Sequence, residues 1–149
     1  MKHVWSALCL KSVIDKASNN ISLLEVIEEI HASPYELKGE EGNTGLFVPM
    51  PIHWVSLWER SNPEIPEKTW IKDTIKLPSG KLLGEQELEV DLLAKKRRRL
   101  IRMVPVPPSN ELGRYVFETR VKNEGETRWK KVSEVPLEII MEKDKSEKT

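Results

Sequence analysis

The sequence has few residues that could cross-link the chain, bind a metal ion or cross a membrane. Cys9 is the only cysteine among 149 residues, so no intramolecular disulfide can form, as is typical of proteins kept in a reducing compartment. The three histidines, His3, His31 and His53, are scattered and lack the spacing of zinc-binding motifs. No apolar run approaches the about 20 residues that a membrane-spanning helix needs.

The start of the chain also lacks the pattern of an export signal. Lys2 and His3 precede an apolar stretch, but Val4 to Leu10 spans only seven residues and no small-residue cleavage site follows. Together with the single cysteine, this predicts a cytoplasmic protein.

Motifs of catalysis and cofactor binding are absent as well. The chain contains no nucleophile elbow, phosphate-binding loop or dinucleotide fingerprint. Glu40, Glu41 and Asn43 could contact a hard cation, but they lack the alternating aspartates of a calcium loop. Cys9 lies in an apolar stretch and has the character of a small buried hydrophobe rather than of a nucleophile. The sequence therefore predicts no enzymatic activity, no metal and no cofactor.

Positive and negative charges cancel over the whole chain. With 24 basic and 24 acidic residues the formal net charge is +0, so no global field draws the protein to nucleic acid or to a membrane. An electrostatic partner would have to be recognised by a local patch.

Alternation of apolar and polar residues is the main structural signal that is present. Tyr115, Phe117, Thr119 and Val121 follow each other at period two, which predicts one buried face of a β-strand. Gly113 allows a sharp entry, and a tyrosine at the head of such a strand is typical of the tyrosine corner in immunoglobulin-like sandwiches. We expect this strand to be central.

The clearest hairpin joins residues 68–77 to residues 82–92 through the turn at Ser79 and Gly80. A slip of one residue would set acids against apolar side chains, so burial specifies the register. The predicted cross-strand pairs are Ile71–Leu88 and Leu77–Leu82 on the apolar face, and Lys72–Glu87 and Thr74–Glu85 on the charged face.

Residues 21–30 are ambiguous from periodicity alone. Leu23, Leu24, Ile27 and Ile30 fit the apolar stripe of an amphipathic helix, and the glutamates between them fit its polar side, so periodicity favours a helix over a strand.

A resemblance favours the strand. Residues 9–15 (CLKSVID) and 19–26 (NNISLLEV) resemble the opening hairpin of a family of uncharacterised small bacterial proteins, and residues 78–81 (PSGK) and 113–117 (GRYVF) match its spacing. The resemblance implies a bacterial β-sandwich protein and supplies no catalytic residue.

These patterns predict a single all-β domain over residues 1–141. We expect an antiparallel sandwich, immunoglobulin-like or C2-like, with about seven to nine strands. Residues 31–51 are predicted to be a long loop, and residues 142–149 a charged, disordered tail. Pro136 interrupts the last predicted strand, which is expected at an edge or a bulge. Further strands are predicted over residues 4–14, 52–59, 96–104 and 128–141.

A basic run near the middle of the chain is the strongest functional signal. Such clusters can bind nucleic-acid phosphates or acidic lipid headgroups. An alternative is cross-strand charge pairing with the acidic residues just upstream, which we prefer because they alternate on one strand face. The basic residues are Lys95, Lys96, Arg97, Arg98, Arg99 and Arg102, and the acidic residues are Glu85, Glu87, Glu89 and Asp91.

Five tryptophans form the second signal. Trp54 and Trp58 share a strand face, where they could stack on sugar rings if exposed, or form the core of a sandwich, which is the preferred interpretation. Trp129 lies between Arg128 and Lys130 and is predicted to be on the surface, available for a protein contact.

The preferred functional hypothesis is a non-catalytic interaction module that binds another protein or a second copy of itself. The candidate contact surfaces are the basic strand 95–102, Trp129, and the loop 31–51 with Tyr35 and Phe47 as anchors. Alternatives are an anion-binding module for acidic lipid or nucleic acid, which would use the same basic strand, and a glycan-binding module that would need exposed indoles at Trp54 and Trp58.

Overall fold

The computed structural model describes residues 1–36, 44–47, 51–104 and 111–141, with side chains described for all of these except residues 34–36 and 44–47. The predicted tail at residues 142–149, and residues 37–43 and 48–50 of the predicted loop, lie outside these ranges. All regular structure within them is β. The strands are β1 (Lys2–Ile14), β2 (Ile21–Val26), β3 (Glu29–Glu36), β4 (Thr44–Phe47), β5 (Ile52–Glu59), β6 (Glu67–Lys76), β7 (Leu82–Leu92), β8 (Arg97–Val104), β9 (Gly113–Asn123) and β10 (Lys130–Met141).

The strands form two packed sheets, as the sequence predicted. Sheet I has the order β2-β1-β5-β8, and sheet II has the order β4-β3-β10-β9-β6-β7. Nine strands build the main four-stranded and five-stranded layers, and the short β4 extends the edge of sheet II. All pairs are antiparallel except β3 and β10, which run parallel. The all-β sandwich is therefore confirmed. Among the described residues, no helix has the length and apolar character needed to cross a membrane.

The core lies between the sheets and is formed by alternate residues of the central strands. Trp54 of β5 meets Phe117 of β9 edge to face, with ring centroids 5.1 Å apart and an interplanar angle of 90°. This geometry is favourable for aromatic pairs and adds to the burial of two large side chains. Trp58, Tyr115 and Phe117 are all fully buried.

Strand β9 is central, as its alternation predicted, since it pairs with β10 on one side and β6 on the other. The hydroxyl of Tyr115 donates a hydrogen bond to the carbonyl oxygen of Glu111 at 2.6 Å, which is the bond that defines a tyrosine corner. Gly113 has a φ of +115°, and a Cβ there would lie 3.3 Å from Cβ of Pro78. The sharp entry to β9 therefore depends on glycine.

Three of the four predicted pairs in the β6–β7 hairpin are confirmed: Ile71–Leu88, Lys72–Glu87 and Thr74–Glu85. The fourth, Leu77 opposite Leu82, is wrong. A register shift between Ile75 and Lys76 places Leu82 opposite Lys76. The cause is the turn, which the amide of Leu77 closes by donating to the carbonyl oxygen of Lys81 at 2.8 Å.

Residues 21–30 are extended, but they belong to two strands in different sheets. The chain crosses between the sheets at Ile27 and Glu28. The amide of Ile27 donates to the carbonyl oxygen of Leu8 in sheet I, and the amide of Glu138 in sheet II donates to the carbonyl oxygen of Glu28, both at 2.9 Å. The backbone groups of Ile27 and Glu28 thus bond to the two sheets and not within a helix, so the helical alternative is excluded.

The predicted loop over residues 31–51 is wrong for residues 31–36 and 44–47, which are in β3 and β4. Strand β3 forms because Ile30 and Ala32 are buried against the core while the backbone pairs with the end of β10. The glycines and prolines of this segment indicated a loop, but long-range pairing with β10 is invisible in local composition.

Pro136 occupies a position where its missing N–H is not needed. Strand β10 lies inside sheet II, but β3 pairs only with residues Glu138–Met141. The amide of Glu138 points towards β3, so the nitrogen of Pro136, two residues earlier, faces the same side where no strand is paired. The expectation of an edge position therefore holds locally.

Replacement of Tyr115 by phenylalanine tests the contribution of the tyrosine corner. The ring would stay packed, while the carbonyl oxygen of Glu111 would lose the donor at 2.6 Å. We expect the free energy of unfolding in urea to fall by about 1 kcal/mol with no change in the m-value. A fall below about 0.3 kcal/mol would show that this hydrogen bond does not stabilise the fold.

Candidate functional site

The β1–β2 hairpin folds back over the outer face of sheet I, the face that points away from sheet II. Strands β2 and β8 are at opposite edges of this sheet, about 14 Å apart if it were flat. Nevertheless, Nη2 of Arg99 on β8 donates to the carbonyl oxygen of Asn19 at 2.7 Å and to its Oδ1 at 2.8 Å. The tip of the hairpin can reach Arg99 only if the hairpin curls across the sheet.

Burial on the outer face supports the same geometry. Val55 follows Trp54 on β5 and therefore points away from the core, yet it is fully buried, as is Cys9 opposite His53 on β1. The hydroxyl of Ser12 lies 2.9 Å from Nδ1 of His53, which ties the returning hairpin to β5. The distal half of the hairpin thus covers the outer face of β5, while sheet II covers its inner face.

Local hydrogen bonds fix the shape of the hairpin tip. The carboxylate of Asp15 accepts bonds from the hydroxyl of Ser18 at 2.6 Å and from the amides of Ala17 at 3.0 Å and Ser18 at 3.3 Å. The hydroxyl bond from Ser18 and the amide bonds hold the pKa of Asp15 below its usual value. Asn19 takes a φ of +55°, a conformation that asparagine tolerates, and this presents its carbonyl to Arg99.

A cleft of about 740 Å³ remains between the hairpin tip and β8, and we call it the basic cleft. Its floor is apolar and is formed by Trp5, Ile14, Ile21 and Leu57. Trp5, Leu57 and Arg99 lie in one row across β1, β5 and β8, because Leu57 pairs with both of the others. Leu57 therefore lies between the indole of Trp5 and the guanidinium group of Arg99.

Four cations line the same cleft: Lys95, Arg97, Arg98 and Arg99. The lining that the structure describes includes no carboxylate. Nε of Arg97 lies 3.2 Å from Glu59 and Arg99 binds Asn19, whereas Lys95 and Arg98 have no polar side-chain partner among the described residues. Two cations are therefore available to an anionic ligand without breaking a described contact.

The preferred interpretation of the basic run, cross-strand pairing with the acidic run, is wrong. Strand β8 is in sheet I and pairs with β5, while β7 is in sheet II and pairs with β6. The acids instead meet lysines of β6: Lys68 is 3.2 Å from Glu89, and Lys72 is 3.1 Å from Glu85 and 2.9 Å from Glu87. The described ion pairs of the basic run are Lys96–Glu64, Arg97–Glu59 and Arg102–Asp73.

The other predicted site residues are dispersed. Arg102 does not line the basic cleft, because it points into the sandwich towards Asp73. Trp129 is half-buried on the outer face of sheet II, with Nζ of Lys72 and of Lys122 at 4.8 and 4.6 Å from its ring centroid. Tyr35 and Phe47 belong to β3 and β4, but their side chains lie outside the described residues.

The glycan-binding hypothesis is wrong. Trp54 is 2% exposed and Trp58 is 0% exposed, so neither indole can stack on a sugar. Their common face on β5 is the core face, where Nε1 of Trp58 donates to Ser56 at 2.9 Å.

Sequence reasoning missed the contribution of Trp5 and of the hairpin tip to the cleft. The available signal was the apolar character of both faces of β1 and β5, since Trp5, Cys9, Val55 and Leu57 all point away from the core. Such a pattern predicts cover on both sides of a sheet. It does not indicate which segment supplies the cover.

Comparison with models of known protein families gave no match, and comparison with curated proteins gave no significant match. The resemblance to small bacterial β-sandwich proteins therefore stays a prediction. Within the part of the chain that the structure describes, no group of three or more potential metal-ligating side chains is found.

Replacement of Arg99 by alanine tests whether its bonds to Asn19 hold the hairpin closed. We expect faster amide hydrogen exchange over residues 11–24 and greater acrylamide quenching of Trp5, because the tip loses two hydrogen bonds. Arg98→Ala is the matched control, since it removes the same charge from the same strand but no contact with the tip. Equal exchange in the two variants would show that Arg99 does not close the hairpin.

Proposed function

We propose that this protein is a non-catalytic β-sandwich module that binds an acidic segment of another protein in the basic cleft. The observation that carries the proposal is the composition of the cleft: four cations and no described carboxylate surround an apolar floor.

The charge of the cleft contrasts with the neutrality of the chain. A concave surface lined by one sign of charge focuses the local potential, even when the net charge of the protein is zero. Lys95 and Arg98 can form charge-assisted hydrogen bonds with carboxylates, and such bonds are stronger than those between neutral groups. The cleft can therefore select acidic ligands without a global positive field.

The floor adds a second requirement on the ligand. Leu57 offers an aliphatic surface beside Arg99, and Trp5 offers an aromatic surface on the next strand. An acidic segment with one apolar side chain would bury that side chain on the floor while its carboxylates meet the cations. Aromatic and arginine side chains together are typical of the residues that dominate protein–protein binding energies.

The shape of the site favours a flexible protein segment over a bilayer or a duplex. The cations line a concavity of about 740 Å³ beneath a hairpin, within the size range of clefts that enclose small ligands or side chains. A flat membrane or a stiff nucleic-acid helix is better served by an exposed basic face or stripe.

We further propose that the protein acts in the bacterial cytoplasm. The single cysteine supports a reducing compartment, and the resemblance of residues 9–26 and 113–117 to small bacterial proteins supports the origin. Detection of the protein in fractionated cells with a specific antibody would test the location.

A binding titration tests the proposed ligand class. The probe is a short fluorescein-labelled peptide in which glutamates flank two leucines, and the readout is fluorescence anisotropy. We expect saturable binding that weakens as ionic strength rises from about 0.01 to about 0.15 M, because the Debye length falls from about 30 to about 8 Å. The double variant Lys95→Glu/Arg98→Glu should bind at least about tenfold more weakly, since two attractive contacts become repulsive.

Matched controls separate the cleft from general charge effects. Lys81→Glu reverses an exposed cation in the β6–β7 turn, outside the cleft, and should leave the affinity nearly unchanged. A peptide with glutamine in place of glutamate should not bind. If single-stranded DNA or phosphatidylserine vesicles bound more tightly than the acidic peptide and were equally sensitive to Arg98, the anion-binding alternative would replace this proposal.

A further inference from the structure

The flank of the sandwich between β7 and β8 holds a second cavity of about 240 Å³, which we call the flank cavity. It is lined from sheet I by Trp54 and Arg102 and from sheet II by Asp73, Ile75 and Gly84. No residue lines both this cavity and the basic cleft. The two sites are therefore structurally separate.

A buried ion pair forms the polar wall of the flank cavity. Nε of Arg102 lies 2.8 Å from Oδ2 of Asp73, and their side chains are only 11% and 4% exposed. Oδ1 of Asp73 accepts a bond from Thr119 at 2.6 Å, and Nη1 of Arg102 donates to Ser56 at 3.0 Å. The guanidinium group also lies 4.5 Å from the ring centroid of Trp54. These contacts hold both charges in place.

Apart from Nε of Arg102, whose described contact is the ion pair with Asp73, two N–H-bearing nitrogens of this wall have no acceptor among the described residues. They are Nε1 of Trp54 and Nη2 of Arg102, and both are buried. Unpaired buried donors are rare in folded proteins, and each one calls for an explanation. Here both belong to side chains that line one cavity, which indicates a shared acceptor.

Two exposed hydrophobic side chains form part of the same lining. Met103 is 66% exposed and Leu83 is 40% exposed. Methionine is unbranched and changes rotamer easily, so this part of the lining can adapt to a ligand without any shift of the backbone. Gly84 lacks a side chain, and its open surroundings leave this part of the lining unobstructed.

The chemistry of the wall defines the ligand. Asp73 already neutralises Arg102, and Glu85 adds a negative charge to the lining, so an anionic ligand would meet no net positive charge. Burial raises the pKa of Asp73, while Arg102 and the hydroxyl of Thr119 oppose this effect. Ile75 and Val104 add apolar surface to the lining, and Gln86 adds a polar amide.

We propose that the flank cavity binds a small neutral carbonyl compound, such as an amide with a short branched apolar group. Its carbonyl oxygen accepts hydrogen bonds from Nε1 of Trp54 and Nη2 of Arg102, and its apolar group packs on Ile75 and Val104.

Three probes of matched shape test this inference: isovaleramide, isovalerate and isoamylamine, which are neutral, anionic and cationic. The indole N–H resonance of Trp54, assigned by its loss in Trp54→Phe, is followed by two-dimensional NMR. We expect a saturable shift with isovaleramide, at least about tenfold tighter than with either ion, because only the amide brings an acceptor without an uncompensated charge.

A blocking variant distinguishes the cavity from general effects. A Cβ at Gly84 meets no atom within 4 Å, so Gly84→Leu should fold normally while its side chain fills the lining and abolishes the shift. Lys81→Leu adds the same side chain nearby but outside the lining and should leave the shift intact. The proposal would be overturned by an equal shift in Gly84→Leu or by tighter binding of isovalerate. It would also be overturned if the Trp54 indole N–H resonance did not shift at any concentration of isovaleramide. Failure of this test would leave the proposed function of the basic cleft unaffected, because the two linings share no residue.

Discussion

Strand β5 is buried on both faces, and the rest of the structure is arranged to satisfy this constraint. One face packs on sheet II, where Trp54 meets Phe117 with ring centroids 5.1 Å apart. The other face carries Val55, which is fully buried although it points away from sheet II. The described residues offer no third layer, so the chain covers this face with its own β1–β2 hairpin. The basic cleft is the part of the outer face that the hairpin leaves uncovered.

Features that depend on neighbouring residues could be predicted from the sequence. The alternation at Tyr115, Phe117 and Thr119 identified the central strand, and the tyrosine at its head identified the corner bond to Glu111. Most pairs of the β6–β7 hairpin followed from its short turn, because loop length and burial together specify register. In each case the information lies within about ten residues of the feature.

Features that depend on which sheet a strand joins could not be predicted. The acidic and basic runs are adjacent in sequence, but the chain changes sheets between β7 and β8, so Glu87 meets Lys72 while Arg97 meets Glu59. The same limitation applies to residues 21–30, where the crossing at Ile27 and Glu28 divides one predicted strand into two. For the basic cleft, the sequence identified the cations but not Trp5 or the hairpin tip, because their proximity results from curling of the sheet.

Arg99 takes part in two competing interactions, since it binds Asn19 at the hairpin tip and also lines the cleft beneath it. A ligand that contacts only Lys95 and Arg98 leaves the tip closed. A ligand that also takes Arg99 must displace Asn19, so the free energy of closing the hairpin is subtracted from the free energy of binding. By thermodynamic linkage, the same ligand would then loosen the hairpin by an equal amount. In that case the opening and closing of the hairpin would set both how well β5 is covered and which ligands the cleft selects.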